Sequence, residues 1–409
     1  MIEYIGRSVK MIPKLDEYKE RWQISSDPAI KPGLDAMKEA LALVGNPQNS
    51  IPVIHLAGTN GKGSTVTFIE HIARSHGLKT ATFMSPCIED VHDQIQLNEM
   101  PITTNEMDAI FEIMSEAGLS GRLTDFELLT VAAYLAFSRF KPDIAIIECG
   151  MGGRYDSTNV MIPIVSVVPS ISLEHTRFLG DTLAKIAYHK SGIIKKERPI
   201  ITGELPPEAM TVFIDEAKKQ NASLYVYDKD FSIEVTEDDE RYYKPNYEIS
   251  HLKRIMPGAH QRSNMALAIT AFIKFAEEQG IEINVEKIKK GVHEAHLAGR
   301  FEKITQNLYL DGAHNPASAK TLIETIKEEF PGQKIHFVMG ILKDKDVEGV
   351  LRLLEEVGNS FTFVDVDNER AMPANMIYDL SHSENKSVSK DNIIHNMEKK
   401  LNMSCIIIM

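Results

Sequence analysis

The segment His55-Leu56-Ala57-Gly58-Thr59-Asn60-Gly61-Lys62-Gly63-Ser64-Thr65 sits between two runs of different period. Before it, Pro52-Val53-Ile54-His55-Leu56 has strand character, and after it Val66-Thr67-Phe68-Ile69-Glu70-His71-Ile72-Ala73 has helical spacing. Glycines let consecutive backbone N–H groups turn toward an anion with no Cβ in the way. The helix start adds a positive dipole, Lys62 supplies a point charge, and a Ser64 or Thr65 hydroxyl can reach a magnesium ion. The segment therefore predicts a phosphate-binding loop made of Gly58, Thr59, Asn60, Gly61, Lys62, Gly63 and Ser64. It departs from the ordinary Walker A pattern, because Leu56 holds the first glycine position and Gly63 separates Lys62 from Ser64. A subclass of that pattern fits better. A glycine-rich strand-to-helix turn with an incidental lysine is disfavoured by the matched strand and helix on either side.

The whole chain bounds what such a loop serves. At 409 residues it is too long for one ordinary core, so at least two domains are expected. Its net charge of −13, from 45 basic and 58 acidic residues, argues against broad nucleic-acid or anionic-membrane binding and requires an anionic substrate to be held by local cations. Cys87, Cys149 and Cys405 lie far apart and form neither a metal-ligand pair nor a disulfide framework, which fits a reducing cytoplasm. The N-terminus carries no apolar signal core, and no apolar run approaches membrane-spanning length.

Helices are expected at residues 15–22 and 33–44, then from Thr104 to Ala117 and from Phe126 to Phe140. The run Asp143-Ile144-Ala145-Ile146-Ile147-Glu148 has the pattern of a parallel strand buried on both faces. Glu148 at its end is placed where ligands of parallel sheets gather, a position suited to a metal beside a phosphate, although a solvated strand end is the commoner fate of such a residue. Another strand from Pro163 to Ile171 precedes Glu174-His175, and a helix from Thr182 to Ile194 carries His189 and Lys190. By themselves His175 reads as a surface or core histidine and Lys190 as a solvated charge. The stretch from Glu234 to Tyr247 reads as a β-rich excursion, and His260 to Gly280 as a long helix. After Gly299-Arg300-Phe301 the strand–helix alternation restarts, ending in a helix from Asn392 to Leu401 and an apolar run from Cys405 to Met409. The pattern predicts an α/β protein: a phosphate-loop domain over 1–298 with a mostly parallel sheet, which the resemblance below makes ATP-binding, and a smaller Rossmann-like α/β domain over 299–409.

Nearly the whole chain resembles the folylpolyglutamate synthase and dihydrofolate synthase family of the Mur ligase superfamily. The resemblance is carried by Asn46-Pro47, Gly58 to Ser64, Ser85-Pro86, Phe126-Glu127, Glu148 with Gly152-Gly153, Asp156-Ser157-Thr158-Asn159, Glu174-His175, His189 to Lys195, His260-Gln261 with Asn264, Gly299-Arg300-Phe301-Glu302, and Asp311-Gly312-Ala313-His314-Asn315-Pro316. It implies ATP-driven ligation, in which a folate carboxylate takes the γ-phosphoryl group and the amine of L-glutamate then displaces phosphate. Gly58 to Ser64 would hold the ATP phosphates, with Asn264, Arg300 and Asp311 around the nucleotide. Ser85, Glu148 and His175 would hold Mg2+, and Lys190 matches the lysine that the family carbamylates. Lys62, Lys190, Asp311 and His314 would carry the catalysis, domain closure bringing the last two to the site. Gln94, Phe126, Glu127, Asp156 and Ser157 would line the folate pocket.

The sequence departs from this family pattern in three places. Cys87 stands where an aromatic residue or histidine usually follows Ser-Pro, and Asp93-Gln94 replaces a Glu-Arg pair, removing a fixed charge and several directed donors. The family continues past its last apolar strand into a Gly-Ser turn and a helix, whereas this sequence ends at Met409 and is read as shortened. The expectation is a cytoplasmic, monomeric ligase of folate and glutamate, with no nucleic-acid or membrane partner. Dihydrofolate synthase, alone or as a second activity, is the alternative, followed by an inactive nucleotide-binding paralogue; a cell-wall ligase fits less of the chain.

Overall fold

A strand covered by helices on both faces has no side left for solvent, so its sequence becomes a continuous apolar run. The computed structural model describes residues 14–29, 33–87, 90–236, 239–366, 370–389 and 405–408, and such runs form the middle of its largest sheet. The strands are β1 (Val53–Leu56), β2 (Thr80–Phe83), β3 (Ile95–Leu97), β4 (Met100–Pro101), β5 (Ile144–Glu148), β6 (Val165–Val168), β7 (Ile200–Thr202) and β8 (Leu224–Val226), in the spatial order β4-β3-β2-β5-β1-β6-β7-β8. All of β1, β2, β5, β6 and β7 is buried. From β2 to β8 the strands run parallel, while β3 and β4 add an antiparallel hairpin at one edge.

By packing, the chain divides into two units, one of residues 1–253 with 263–295, the other of 254–262 with 296–409. The first unit's helices include α1 (Leu15–Arg21), α2 (Asp35–Leu43), α3 (Lys62–Ser75), α4 (Thr104–Glu116), α5 (Asp125–Phe140), α6 (Thr176–Leu179), α7 (Leu183–Lys190) and α8 (Pro207–Lys219), followed along the chain by α9 (His260–Gln279) and α10 (Val285–Glu294). Both α4 and α5 open on complete capping boxes, Thr103 with Glu106 and Thr124 with Glu127. Each satisfies backbone donors that the first turn leaves unpaired, and the N-cap residue alone contributes about 1 kcal/mol. The charged, tyrosine-rich stretch becomes a three-stranded antiparallel sheet of β9 (Ser232–Val235), β10 (Glu240–Lys244) and β11 (Tyr247–Leu252).

The second unit carries a six-stranded sheet of β12 (Glu302–Thr305), β13 (Leu308–Leu310), β14 (Ile335–Met339), β15 (Gly358–Val364), β16 (Lys386–Ser389) and β17 (Cys405–Ile408), ordered β12-β13-β17-β14-β15-β16. Its helices are α11 (Pro316–Glu329), α12 (Val347–Leu354) and α13 (Ala374–Leu380). Only the β12–β13 pairing is antiparallel. The α/β class and mostly parallel sheet expected from sequence are thus present. The helix expected from Asn392 to Leu401 lies outside the described residues. The polar stretch before Pro101 holds β3 and β4: Ala81, Thr82 and Phe83 of β2 pair with Leu97, Gln96 and Ile95. Among the described residues no helix is long and apolar enough to cross a membrane.

Candidate nucleotide and ligation site

Parallel order brings the carboxyl ends of β2, β5, β1 and β6 side by side, so the residues that follow each strand share one edge of the sheet. Ser85 follows β2, Glu148 ends β5, the Gly58–Ser64 loop follows β1, and Pro169 to His175 follow β6. In the loop, Gly58 and Gly61 have φ of +151° and +87°, and Gly61 is the residue from which α3 starts. A Cβ on Gly61 would fall 2.5 Å from Asn264 Oδ1 and 3.1 Å from Pro169 Cβ. Glycine is therefore required here twice over, by backbone sign and by space.

The segment after β6 buttresses this loop. Thr59 N donates to Ser170 O at 2.9 Å, Asn60 N donates to Ser170 Oγ at 3.0 Å, and Ser172 N donates to Thr59 Oγ1 at 3.0 Å. Of the two hydroxyls read as reaching a metal, that of Thr65 donates to the Gly61 carbonyl at 2.8 Å and is spent on the helix. Ser64 is buried at the first turn of α3.

Two lysines converge on the loop backbone. Lys62 Nζ donates to the carbonyls of Gly58 and Thr59 at 3.0 and 3.1 Å and lies 3.6 Å from Glu148 Oε1. Lys190 Nζ, at the end of α7, donates to the Gly58 carbonyl at 2.6 Å, and the residue is 2% exposed. Burial, followed by repulsion from Lys62, pulls the Lys190 ammonium down to about 7, so much of it is a neutral amine near neutrality. Gly153 lets this arrangement close: a Cβ there would stand 2.9 and 3.0 Å from the carbonyl oxygens of His189 and Lys190.

The expected acceptor-pocket residues share the loop after β5 and its neighbours. Phe126 stacks on Phe83 with ring centroids 5.8 Å apart and covers Gly150, whose Cβ would meet the ring at 2.5 Å. Glu127 Oε2 accepts from Thr124 N and Oγ1 at 2.8 and 2.9 Å in the α5 capping box. Asp156 is buried; its Oδ2 accepts from Met151 N at 2.8 Å and its Oδ1 from Thr158 N at 3.1 Å. Burial raises its pKa while Thr158 and the loop N–H groups oppose the rise. Ser157 shares a 2.8 Å hydrogen bond with Thr130. Gln94 is buried in the short helical turn Val91–Gln94, with Oε1 left unpaired. Cys87, in the same loop, is half-buried, and its thiol is pushed up to about 11 by burial and Asp93.

His175 is exposed in a left-handed conformation at the start of α6. Among the described residues no group of three or more His, Cys, Asp and Glu side chains is placed to hold a metal by itself. Glu148 and Ser85 offer one buried carboxylate and one hydroxyl, oxygen donors of the kind Mg2+ takes when substrate phosphates and waters complete its shell.

In the second unit, Asp311 directly follows β13. Its two oxygens accept from Phe301 N at 2.9 Å and Ala313 N at 2.8 Å. Burial raises its pKa against the pull of Arg300. Arg300 lies beside Gly312, its Nη1 3.1 Å from where a Cβ would be, and His314 Nδ1 sits 2.8 Å from the Gly312 carbonyl. These three residues belong to the second unit.

Sequence reading passed over His55, Cys149, Thr158 and Tyr134, which form a buried polar cluster behind the loop. A histidine inside an otherwise apolar two-face-buried strand was the signal for it, since such a group must find a partner.

Residues 56–272 match the Mur ligase middle domain and residues 299–403 the Mur ligase glutamate ligase domain. The fold and its phosphate loop thus define a Mur-type ligase. The chain is 37% identical over 376 residues to the dihydrofolate synthase/folylpolyglutamate synthase of Bacillus subtilis, covering 88% of this chain and 87% of that relative. It is 33% identical to the folylpolyglutamate synthase of Lacticaseibacillus casei, covering 81% of each. The structure of Escherichia coli FolC in complex with DHPP and ADP superposes with a TM-score of 0.87 at 26% identity, over 96% of this chain and 94% of that one. The chain belongs to the dihydrofolate synthase/folylpolyglutamate synthase family.

Proposed function

We propose that this protein is an ATP-dependent ligase that adds L-glutamate to the γ-carboxylate of a reduced folate. The observation that carries this reading is the glycine loop at the C-terminal edge of the sheet, where Lys62 and Lys190 converge on the Gly58 carbonyl and Lys62 stands 3.6 Å from the buried Glu148. A folate carboxylate oxygen attacks the γ-phosphorus of ATP, the bond to the bridging oxygen breaks, and ADP leaves. The glutamate amine then attacks the acyl carbon, inorganic phosphate departs, and the amine loses a proton.

Lys62 and the loop N–H groups hold the phosphates and offset charge on the transferred group. Asn264, which stands against the loop at Gly61, is assigned with Arg300 and Asp311 to the nucleotide, and Asp311 and His314 are assigned catalytic roles. Mg2+ would be held by Glu148 and Ser85, with His175 as a further ligand; when bound it neutralises phosphate charge. A neutral Lys190 amine is the form that adds to carbon dioxide, releasing a proton and leaving a carbamate. That anion would replace the present repulsion from Lys62 with attraction. Gln94, Phe126, Glu127, Asp156 and Ser157 are assigned to the pterin end of the acceptor.

The experiment is ADP release coupled to labelled glutamate incorporation, with tetrahydrofolate and dihydropteroate offered separately. Turnover on tetrahydrofolate is the expected result. Turnover on dihydropteroate as well would assign both activities, as the name of the B. subtilis relative does for that protein. Nucleotide binding without incorporation into either acceptor would overturn the proposal.

A further inference from the structure

His55 is fully buried in β1, three residues before Gly58. Its Nε2 lies 2.9 Å from Thr158 Oγ1 and 3.1 Å from Cys149 Sγ. Thr158 Oγ1 in turn lies 2.5 Å from Asp156 Oδ1. The direction of the chain follows from its far end. Both Asp156 oxygens accept backbone N–H bonds, so the carboxylate is the acceptor and Thr158 donates its hydroxyl hydrogen. Thr158 Oγ1 then accepts from His55, which fixes the imidazole as the Nε2–H tautomer. Nδ1 is left buried without a partner. Burial also drives the imidazolium far down, to about 3, so the ring is neutral at any working pH.

This chain crosses from the strand that feeds the phosphate loop to the segment that carries the proposed acceptor pocket. Asp156 ties Met151 N, and Tyr134 OH donates to Thr158 O at 2.7 Å, so the segment 151–158 is held from β1 on one side and α5 on the other. A bare Nδ1 in an apolar setting carries a desolvation penalty that an aliphatic residue of similar size would avoid. The donor at Nε2 is what such a residue would lose.

We infer that His55 is a positioning residue for the acyl acceptor: its Nε2–H orients Thr158 and Asp156 and thereby sets the pocket segment against the phosphate loop. This rests on the proposed assignment of Asp156 to the acceptor pocket. His55→Leu removes the donor, His55→Gln supplies an amide N–H of similar reach, and Thr158→Val removes the relay hydroxyl with little change of shape.

The test measures steady-state kinetics with tetrahydrofolate or dihydropteroate, whichever the wild type uses, together with ADP affinity by calorimetry. His55→Leu and Thr158→Val should each raise the acceptor KM by about tenfold, as loss of one hydrogen bond to a charged chain does, with ADP affinity within about twofold. The double variant should be no worse than either single one, because both break the same chain. His55→Gln should recover most of the loss, and nitrogen-15 NMR of the wild type should show one histidine held in the Nε2–H form down to about pH 5. The inference is overturned if Asp156→Asn raises the acceptor KM while Thr158→Val and a folded His55→Leu leave it unchanged. It is equally overturned if ADP affinity falls in step with the acceptor KM, which marks general loss of structure. Should Asp156→Asn itself leave the acceptor KM unchanged, the pocket assignment fails and the inference falls with it.

Discussion

Replacing Lys190 by methionine keeps an unbranched chain of similar length and removes one buried proton acceptor. In the unfolded chain the amine titrates near 10.5, and in the folded protein near 7. Between those values the unfolded state binds a proton that the native state does not, so native stability rises with pH. The gradient is about 1.4 kcal/mol per pH unit where the native amine is fully neutral, and about half that at its own midpoint. From pH 7 to pH 9 the wild type should therefore gain about 2 kcal/mol relative to Lys190→Met. The chain has a single tryptophan, Trp22, whose Nε1 donates to Asp108 at 2.9 Å within the same unit as Lys190, so urea unfolding followed by its fluorescence reports on that unit. Carbon-dioxide-free buffer keeps the amine unmodified. Subtracting the variant cancels other groups that titrate in the window. Parallel stability curves, or a wild type that loses ground as pH rises, would refute both the buried neutral amine and its readiness to form a carbamate.

Gly61→Ala must place a Cβ 2.5 Å from Asn264 Oδ1 at a φ of +87°, so ADP affinity measured by calorimetry should fall by at least about tenfold; unchanged affinity would remove the loop from the nucleotide site. Thr124→Ala deletes the side chain that accepts from Glu127 N at the start of α5, and the Trp22 unfolding transition should show a loss of about 1 kcal/mol.

What was readable in the sequence is what local chemistry determines. The loop from Gly58 to Ser64 requires its own residue types, and the strand ending at Glu148 advertises two-sided burial by having no polar position before its last. The β3–β4 hairpin was not readable, because its strands are only three and two residues long and at an edge Gln96 and Pro101 are tolerated. The packing of residues 254–262 with the second unit is likewise a long-range fact that no local pattern encodes. At the site, Lys190 looked like a helix-surface charge, and only the approach of α7 to Gly58 turns it into a buried amine with an altered titration. His55 was quoted within the loop segment and given no role, since its partners Cys149 and Thr158 lie about a hundred positions away.

The strand order of the second unit sets a condition on how a ribosome can deliver it. β17 stands between β13 and β14, so Leu308–Leu310 and Ile335–Met339 present unpaired backbone edges to solvent until residues 405–408 have left the exit tunnel. Everything from β13 to β16 is synthesised before the piece that joins the sheet across its middle, and closing so long a loop is slow. During that interval the nascent unit is two half-sheets with complementary open edges, the form in which a chaperone, or a second nascent copy, would find it.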